Sequence, residues 1–412
     1  MTLNSKTVLV VGGGAAGMMA ALVAGGRGAH VTVLERMEKP GKKILVTGNG
    51  RCNITNSRQD LCHYHGAPST FTENVLQLFP FVKTLEFFKT IGLECVEEDE
   101  GRVYPSCGQA SAVLSVLRFE MERRNVRVYC GAEVHGLSFD GHVFTAETKD
   151  GRTFKAGRVI VAAGGKASPQ WGSNGSGFDL MKNLGHTLCA PFPVLVQLTL
   201  NAPFLKEVDG VRFQGAAAVV SQGQVRREET GEIQLTDYGA TGIPILDLSR
   251  AAGECLLAKR DAFLELRLLP DRSPGALLVE LKNRLSSRAD ETIERALVGV
   301  VHSTLLPALI QAAGYKSKHV PCRFSTAQNT QNLAELLTRW TLPITGTLSW
   351  PRAHVTAGGV DSAEIDSATL ESKILPGLYL AGELVDVDGD CGGYNLQWAW
   401  SSGFVAGVSA SR

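Results

Sequence analysis

What this 412-residue chain lacks narrows the choice before any motif is read. Charge of either sign is not in excess. Its 41 Lys and Arg stand against 41 Asp and Glu, so no whole-molecule field draws nucleic acid or an anionic membrane, and only a local basic face could do so. No CxxC pair occurs among its 9 Cys, whose odd number and wide scatter point to free thiols in a reducing compartment. No apolar run approaches the roughly 18 residues of a membrane span. The opening MTLNSKTVLVVGGG runs straight into a strand, where an export leader would need a basic start and a longer apolar stretch. A cytoplasmic, soluble protein with no membrane partner is therefore expected. No repeat of about 20 to 50 residues is visible.

What is present is glycine, 45 residues of it, together with a hydrophobic fraction of 44% that is ample for a core. At roughly 100 to 200 residues per domain the length allows about two to four domains. Thr7 to Val11 and Val31 to Leu34 are short β-branched runs separated by a glycine turn and the helical stretch Ala15 to Gly25, which together predict a βαβ unit. Arg158 to Ala163 and Gly377 to Ala381 have the same character and also end in glycines. In an open parallel sheet such strand ends converge on one ligand crevice. Between them, alternating stretches such as Ala216 to Gln222 and Phe263 to Leu269 precede a helical block from Pro274 to Ala313. The expected fold is α/β. A discontinuous Rossmann-like domain at 1–190 and 350–412 is interrupted by a β-rich insertion at 191–270 and 320–349 and a helical subdomain at 271–319.

Gly12, Gly14 and Gly17 follow the first strand and open a helix that starts with Ala15 and Ala16, and Glu35 ends the next strand 18 positions beyond Gly17. That context makes the pattern a dinucleotide fingerprint. Gly12 permits the tight turn, Gly14 lets backbone approach a pyrophosphate, Gly17 allows close packing, and Glu35 accepts from ribose hydroxyls. The fingerprint alone does not separate NAD from FAD. LYLAGE, ending at Glu383, would set a carboxylate near a ribityl chain. Gly392, Gly393 and Asn395 at a following helix start would present N–H groups and a positive dipole end to an electron-rich flavin ring.

The segments PGKKILVTGNGRCNITN, VIVAAGGKASPQWGSNGSG, AHVTAGGV and GLYLAGELVDVDGDCGGYNLQWAWSSG resemble those of a bacterial FAD-dependent flavoprotein family labelled aminoacetone-oxidase-like or BaiN-like. That family includes members associated with bile-acid dehydroxylation and with dihydrouridine formation in ribosomal RNA. The resemblance spans nearly the whole chain. It implies a glutathione-reductase-type FAD domain with a β-barrel-like insertion and a small helical subdomain. It also implies FAD contacts from Ala16, Glu35, Arg36, Lys43, Gly50, Arg51, Cys52, Asn53, Gly382, Glu383, Gly393, Asn395 and Leu396, with Val134 meeting the adenine through its backbone. Lys42, and Ala163 with Gly164 at the second strand end, join this set. Two positions depart from the family pattern: Asp237 stands where many relatives carry His, and Cys391 where relatives vary.

For the chemistry, Cys52 lies between Arg51 and Asn53, and a neighbouring cation would lower a thiol pKa. Tyr394 and His354 are the other acid candidates. Cys62 to His65 holds a possible metal pair, but no second cluster at ligand spacing follows, so no metal is expected. No GxSxG elbow supports a hydrolase. With no second dinucleotide fingerprint, electrons should come from NAD(P)H visiting the flavin or from an external reductase. The expected activity is hydride transfer through flavin N5 to an activated C=C. One substrate candidate is a uridine of large-subunit ribosomal RNA, because Arg272 to Arg323 holds eight Lys or Arg against four Asp or Glu and could grip phosphates. The alternatives are a small-molecule reductase or amine oxidase, and a flavin-binding protein without turnover.

Overall fold

The computed structural model describes residues 7–412. The chain divides into two compact units, Met1–Pro193 with His354–Arg412, and Val194–Ala353.

In the first unit, Thr7–Val11 (β1), Ala15–Gly26 (α1) and His30–Leu34 (β2) form the βαβ start. Arg127–Tyr129 (β3), Arg158–Val161 (β4) and Leu378–Leu380 (β5) complete a sheet in the order β5-β4-β1-β2-β3, with every neighbouring pair parallel. Parallel strands covered on both faces read as continuous aliphatic runs rather than alternating ones. TVLVV and RVIV show why these segments take central places. Two long helices lie beside them: Ala110–Arg123 (α2) and the C-terminal Tyr394–Ala410 (α3). α1 and α3 are apolar on nearly all sides and bury Met18, Met19, Leu22, Trp398 and Trp400. At about 1.5 to 3 kcal/mol for each large side chain removed from water, this packing supplies much of what holds the sheet edge in place. The two indoles also satisfy backbone carbonyls, Trp398 donating to Gly382 at 3.0 Å and Trp400 to Ile54 at 2.9 Å.

The second unit is a closed barrel of six strands. Leu198–Leu200, Gly239–Thr241, Gln224–Thr236, Arg212–Ser221, Phe263–Arg267 and Trp340–Thr347 follow one another around it. The helical block is less continuous than the sequence suggests. It consists of Pro274–Ser286, Ile293–Leu297 and Leu306–Ala312, with Pro274 in the first turn of one helix and Pro307 in that of another. A further helix, Ala327–Thr338, falls where a β-rich segment is expected. Thr326 caps it by accepting the Asn329 N–H at 3.1 Å, and Leu333 and Leu337 bury one stripe. The helices are not a separate body: Leu277, Leu281, Leu333 and Leu337 share one core with Leu264 and Leu266 of the barrel.

Candidate functional site

The sheet order brings three glycine-bearing strand ends side by side, because β5, β4 and β1 are adjacent and parallel. Their three glycines do different work in the first turn. A Cβ at Gly12 would lie 2.4 Å from the Ala162 carbonyl oxygen, and one at Gly17 only 1.9 Å from that of Gly12, so both are demanded by the chain itself. Gly14 is different. Its backbone is ordinary, with φ −77° and ψ −169°, and a Cβ there would meet no protein atom within 4 Å. A bare backbone facing open space at the start of a long helix suits a bound pyrophosphate and nothing else in the chain requires it.

Glu35 is buried at the end of β2, where its two carboxylate oxygens accept the N–H groups of Gly13 at 2.8 Å and Met37 at 2.7 Å. Burial raises its pKa, and the two backbone bonds and Arg36 pull against that shift. Each oxygen keeps a lone pair for a ribose hydroxyl. Ala132 N–H donates to the Glu35 carbonyl, which carries the following Val134 to the same end of the sheet. Arg36 lies there too, donating to the Gly172 carbonyl at 3.2 Å. Its guanidinium is 3.9 Å from Glu133.

At the other end, Lys43 bonds Glu383 at 3.0 Å, and the second Glu383 oxygen accepts the Thr356 N–H at 3.0 Å. The Thr356 hydroxyl oxygen accepts from Lys166 and Ala167 N–H, fixing the turn that carries Ala163 and Gly164. Lys43 thus pairs with a carboxylate of the chain, and Lys42 faces Glu38 at 3.8 Å. α3 begins at Gly393, whose φ of +101° belongs to glycine, and no side chain caps its first N–H groups. Asn56 Nδ2 holds the Gly392 carbonyl at 2.9 Å. The Asn395 side chain turns away from the helix start and brackets Gly389, accepting its N–H at 2.9 Å and donating to its carbonyl at 2.6 Å. Leu396 packs half-buried against the core.

Two expectations on the loop Lys42–Gly50 and its exit need correction. Arg51 does not acidify Cys52: its guanidinium pairs with Glu98 and lies 4.1 Å over the Tyr104 ring. Cys52 is fully buried in a left-handed turn at φ +63°, and burial pushes its thiol up to about 12. Asn53 beside it is buried with its side-chain oxygen unpartnered, and Gly50 serves the turn at φ +81°. Tyr394 is buried, and its phenol is pushed up to about 12 by burial and by Asp390. His354 is exposed, while crowding by surrounding chain and the Lys43 charge press its pKa down. Asp237 belongs to the other unit, where its N–H donates to Asp209 at 3.2 Å. Cys391 sits half-buried in the turn before α3.

Sequence reasoning missed the partner of the CHYH histidines. His63 Nδ1 and His65 Nε2 meet the two oxygens of Asp390 at 3.0 and 2.9 Å. More than 300 residues separate them, so no spacing could signal the contact. Among the described residues no cluster suited to a metal occurs.

The open face at Gly14, the ribose-ready Glu35 and the uncapped start of α3 fit an extended flavin dinucleotide. In solved structures, a 3-ketosteroid Δ1-dehydrogenase from Sterolibacterium denitrificans covers 99% of this chain and 100% of its own at a TM-score of 0.52 and 15% identity, a likeness of fold. A 3-dehydro-bile acid delta(4,6)-reductase of Clostridium scindens is 40% identical over 98% of both chains. A ribosomal RNA dihydrouridine synthase of Escherichia coli is 30% identical over 96% of both. The HI0933-like protein Rossmann domain matches residues 6–409, and the chain belongs to that family of FAD-binding oxidoreductases.

Proposed function

We propose that this enzyme reduces the C=C of a small, apolar α,β-unsaturated ketone. The observation that carries the reading is the 40% identity, end to end, with a reductase named for a 3-dehydro bile acid. Bound FAD would supply the hydride. The residues that would hold it are the Gly12–Ala16 turn, Glu35, the Lys43–Glu383 pair and the start of α3.

The charges of the second unit support a small substrate over a polyanion. Of the eight cations between Arg272 and Arg323, Arg272 pairs with Glu280, Arg288 and Arg295 with Glu291, Lys318 with Glu294 and Arg323 with Asp290. Arg284 donates to the Ala296 and Val298 carbonyls. Only Lys282 and Lys316, among the described residues, are left over for phosphates. On the flavin-side loop, Leu45 and Val46 are instead 37% and 41% exposed, an apolar surface suited to a hydrocarbon skeleton.

Hydride arriving at one carbon drives negative charge onto the conjugated carbonyl oxygen. His354, exposed and held neutral, can donate an N–H to that oxygen, a role that needs no imidazolium. Cys52 has no route to substrate. The proton then comes from water, and the electrons from NAD(P)H or an external reductase. Uridine in ribosomal RNA is the second reading, supported by the 30% relative. The test is to reduce the FAD-loaded protein anaerobically and offer conjugated 3-oxo steroids and unmodified ribosomal RNA. Reoxidation with a saturated ketone as product supports the first reading; reoxidation by RNA alone replaces it with the second.

A further inference from the structure

His63 and His65 flank Tyr64 where the strand Tyr64–Gly66 pairs with Val387–Gly389, and that partner strand runs directly into Asp390. Alternate residues of an extended chain share a face, so both imidazoles reach one carboxylate. The Asp390 N–H also donates to the His63 carbonyl at 3.0 Å, and Asn395 Nδ2 donates to the Asp390 carbonyl at 3.3 Å. The Asp390 side chain is 7% exposed, against 33% for His63 and 22% for His65. A buried carboxylate is thus clasped by two part-exposed imidazoles.

An imidazole nitrogen facing an ionised carboxylate must carry hydrogen. With both rings neutral the trio holds one negative charge; protonation of one ring cancels it, and of both reverses it. This charge lies beside the start of α3. The Tyr394 ring stacks on His63 with centroids 4.4 Å apart, and Gly393, the residue before it, begins the helix. Other charges meet the trio as well. Asp60 and Cys62 lie on the His63 side, Asp388 stands opposite His65 across the strand pair, and Arg58 and Arg102 approach Tyr394.

We propose that His63 and His65 are positioning residues that act through Asp390, making the charge beside the start of α3 depend on pH and so biasing the site toward reduced flavin. The inference rests on the FAD reading above. With both rings neutral, Asp390 opposes the positive end of the helix and disfavours an anionic reduced ring. Each proton taken up by a ring comes from solvent and removes that opposition. Linkage requires the converse, that flavin reduction favours protonation of the trio.

The test is the midpoint potential of the FAD-loaded protein, followed optically from about pH 5.5 to 8.5, across the imidazole range. Asp390→Asn removes the charge. At the alkaline end its preference for reduced over oxidised FAD should exceed that of the unaltered protein by on the order of tenfold, or about 30 mV for a two-electron couple. The variant keeps both imidazoles, so it should stay ahead of the unaltered protein as pH falls. The double variant His63→Gln with His65→Gln should keep the low preference at every pH. If Asp390→Asn fails to fold, His65→Gln alone, which leaves the His63 stack on Tyr394 intact, should still show a reduced pH response. A double His63→Gln, His65→Gln variant whose curve runs parallel to that of the unaltered protein, both FAD-loaded, overturns the inference while leaving the flavin site standing. Folded protein that takes up no FAD overturns the underlying reading and the inference with it.

Discussion

Gly14→Ala separates folding from cofactor binding at a single methyl group. Its φ and ψ are open to any residue and no protein atom lies within 4 Å of the new carbon. Two small terms act on the fold. Alanine is a poorer N-cap than glycine by roughly 1 kcal/mol or less, and it restricts the unfolded chain, which returns about 0.4 to 1 kcal/mol. The ligand-free melting point should therefore move by roughly 4 °C or less. Binding should respond very differently, because the methyl occupies the face where backbone N–H groups would approach the pyrophosphate. Losing one charge-assisted hydrogen bond costs about 1.5 to 3 kcal/mol, or about tenfold to a hundredfold in Kd. Thermal melts of the ligand-free variant, with FAD titrated by quenching of its fluorescence, measure both quantities. Gly17→Ala is the contrast, since its carbon would lie 1.9 Å from the Gly12 carbonyl oxygen and should abolish folding. A Gly14→Ala protein that binds FAD within about twofold of the original, where the lost bond predicts at least tenfold, would refute the placement of the pyrophosphate.

Three further outcomes follow from the same geometry. Iodoacetamide at mildly alkaline pH should label the exposed Cys62 and Cys107 in the native protein, whereas Cys52, buried and pushed up to about 12, should react only after unfolding; peptide mass mapping reads this directly. Lys43→Met leaves Glu383 without its cation in a half-buried setting, and FAD affinity should fall by about 1 to 2 kcal/mol with partial recovery in Lys43→Arg. Glu120 joins α2 to α1 through Arg124, which also donates to the Leu22 carbonyl, and hydrogen bonds from Arg123 hold its carboxyl below the usual range. A carboxyl depressed by folding stabilises fully above its unfolded value of about 4.3 and loses that contribution as pH falls through the folded value. Glu120→Gln should accordingly melt lower than the original at neutral pH, with the two curves converging in acid.

The dinucleotide half of the site was legible because its demands are local. Gly17 and Glu35 are fixed by sterics and hydrogen bonds within the βαβ unit and its exit, and local demands leave local patterns. Two of the six barrel strands were legible as strand-like runs, at Ala216 to Gln222 and Phe263 to Leu269. The helix Ala327–Thr338 was missed although Thr326 caps it and Leu333 and Leu337 share its buried face; it runs directly into the strand Trp340–Thr347. The protein partners of Arg51 and Lys43 were not legible for another reason: Glu98 and Glu383 lie 47 and 340 residues away. Charge pairing is decided by packing, and sequence order carries little of it.

His186, Glu364 and Ser372 show why distances alone do not assign chemistry. His186 Nδ1 meets Glu364 at 2.9 Å and its Nε2 meets the Ser372 hydroxyl at 3.0 Å, the order found in nucleophilic hydrolases. Yet the Ser372 oxygen already accepts the N–H groups of Ile374 and Leu375 at 3.1 and 2.9 Å. Both lone pairs are taken, so the hydroxyl must donate to the imidazole, and no pair remains to attack a carbonyl. The serine is also 4% exposed and the His186 side chain 0%. Glu364 meanwhile accepts the Thr187 N–H at 2.9 Å. The three residues pin three separate segments of chain together and satisfy one another in doing so. The two criteria that remove this set from the chemistry, free lone pairs and access, also sort the flavin side of the molecule: they exclude the buried thiol of Cys52 and retain the exposed imidazole of His354.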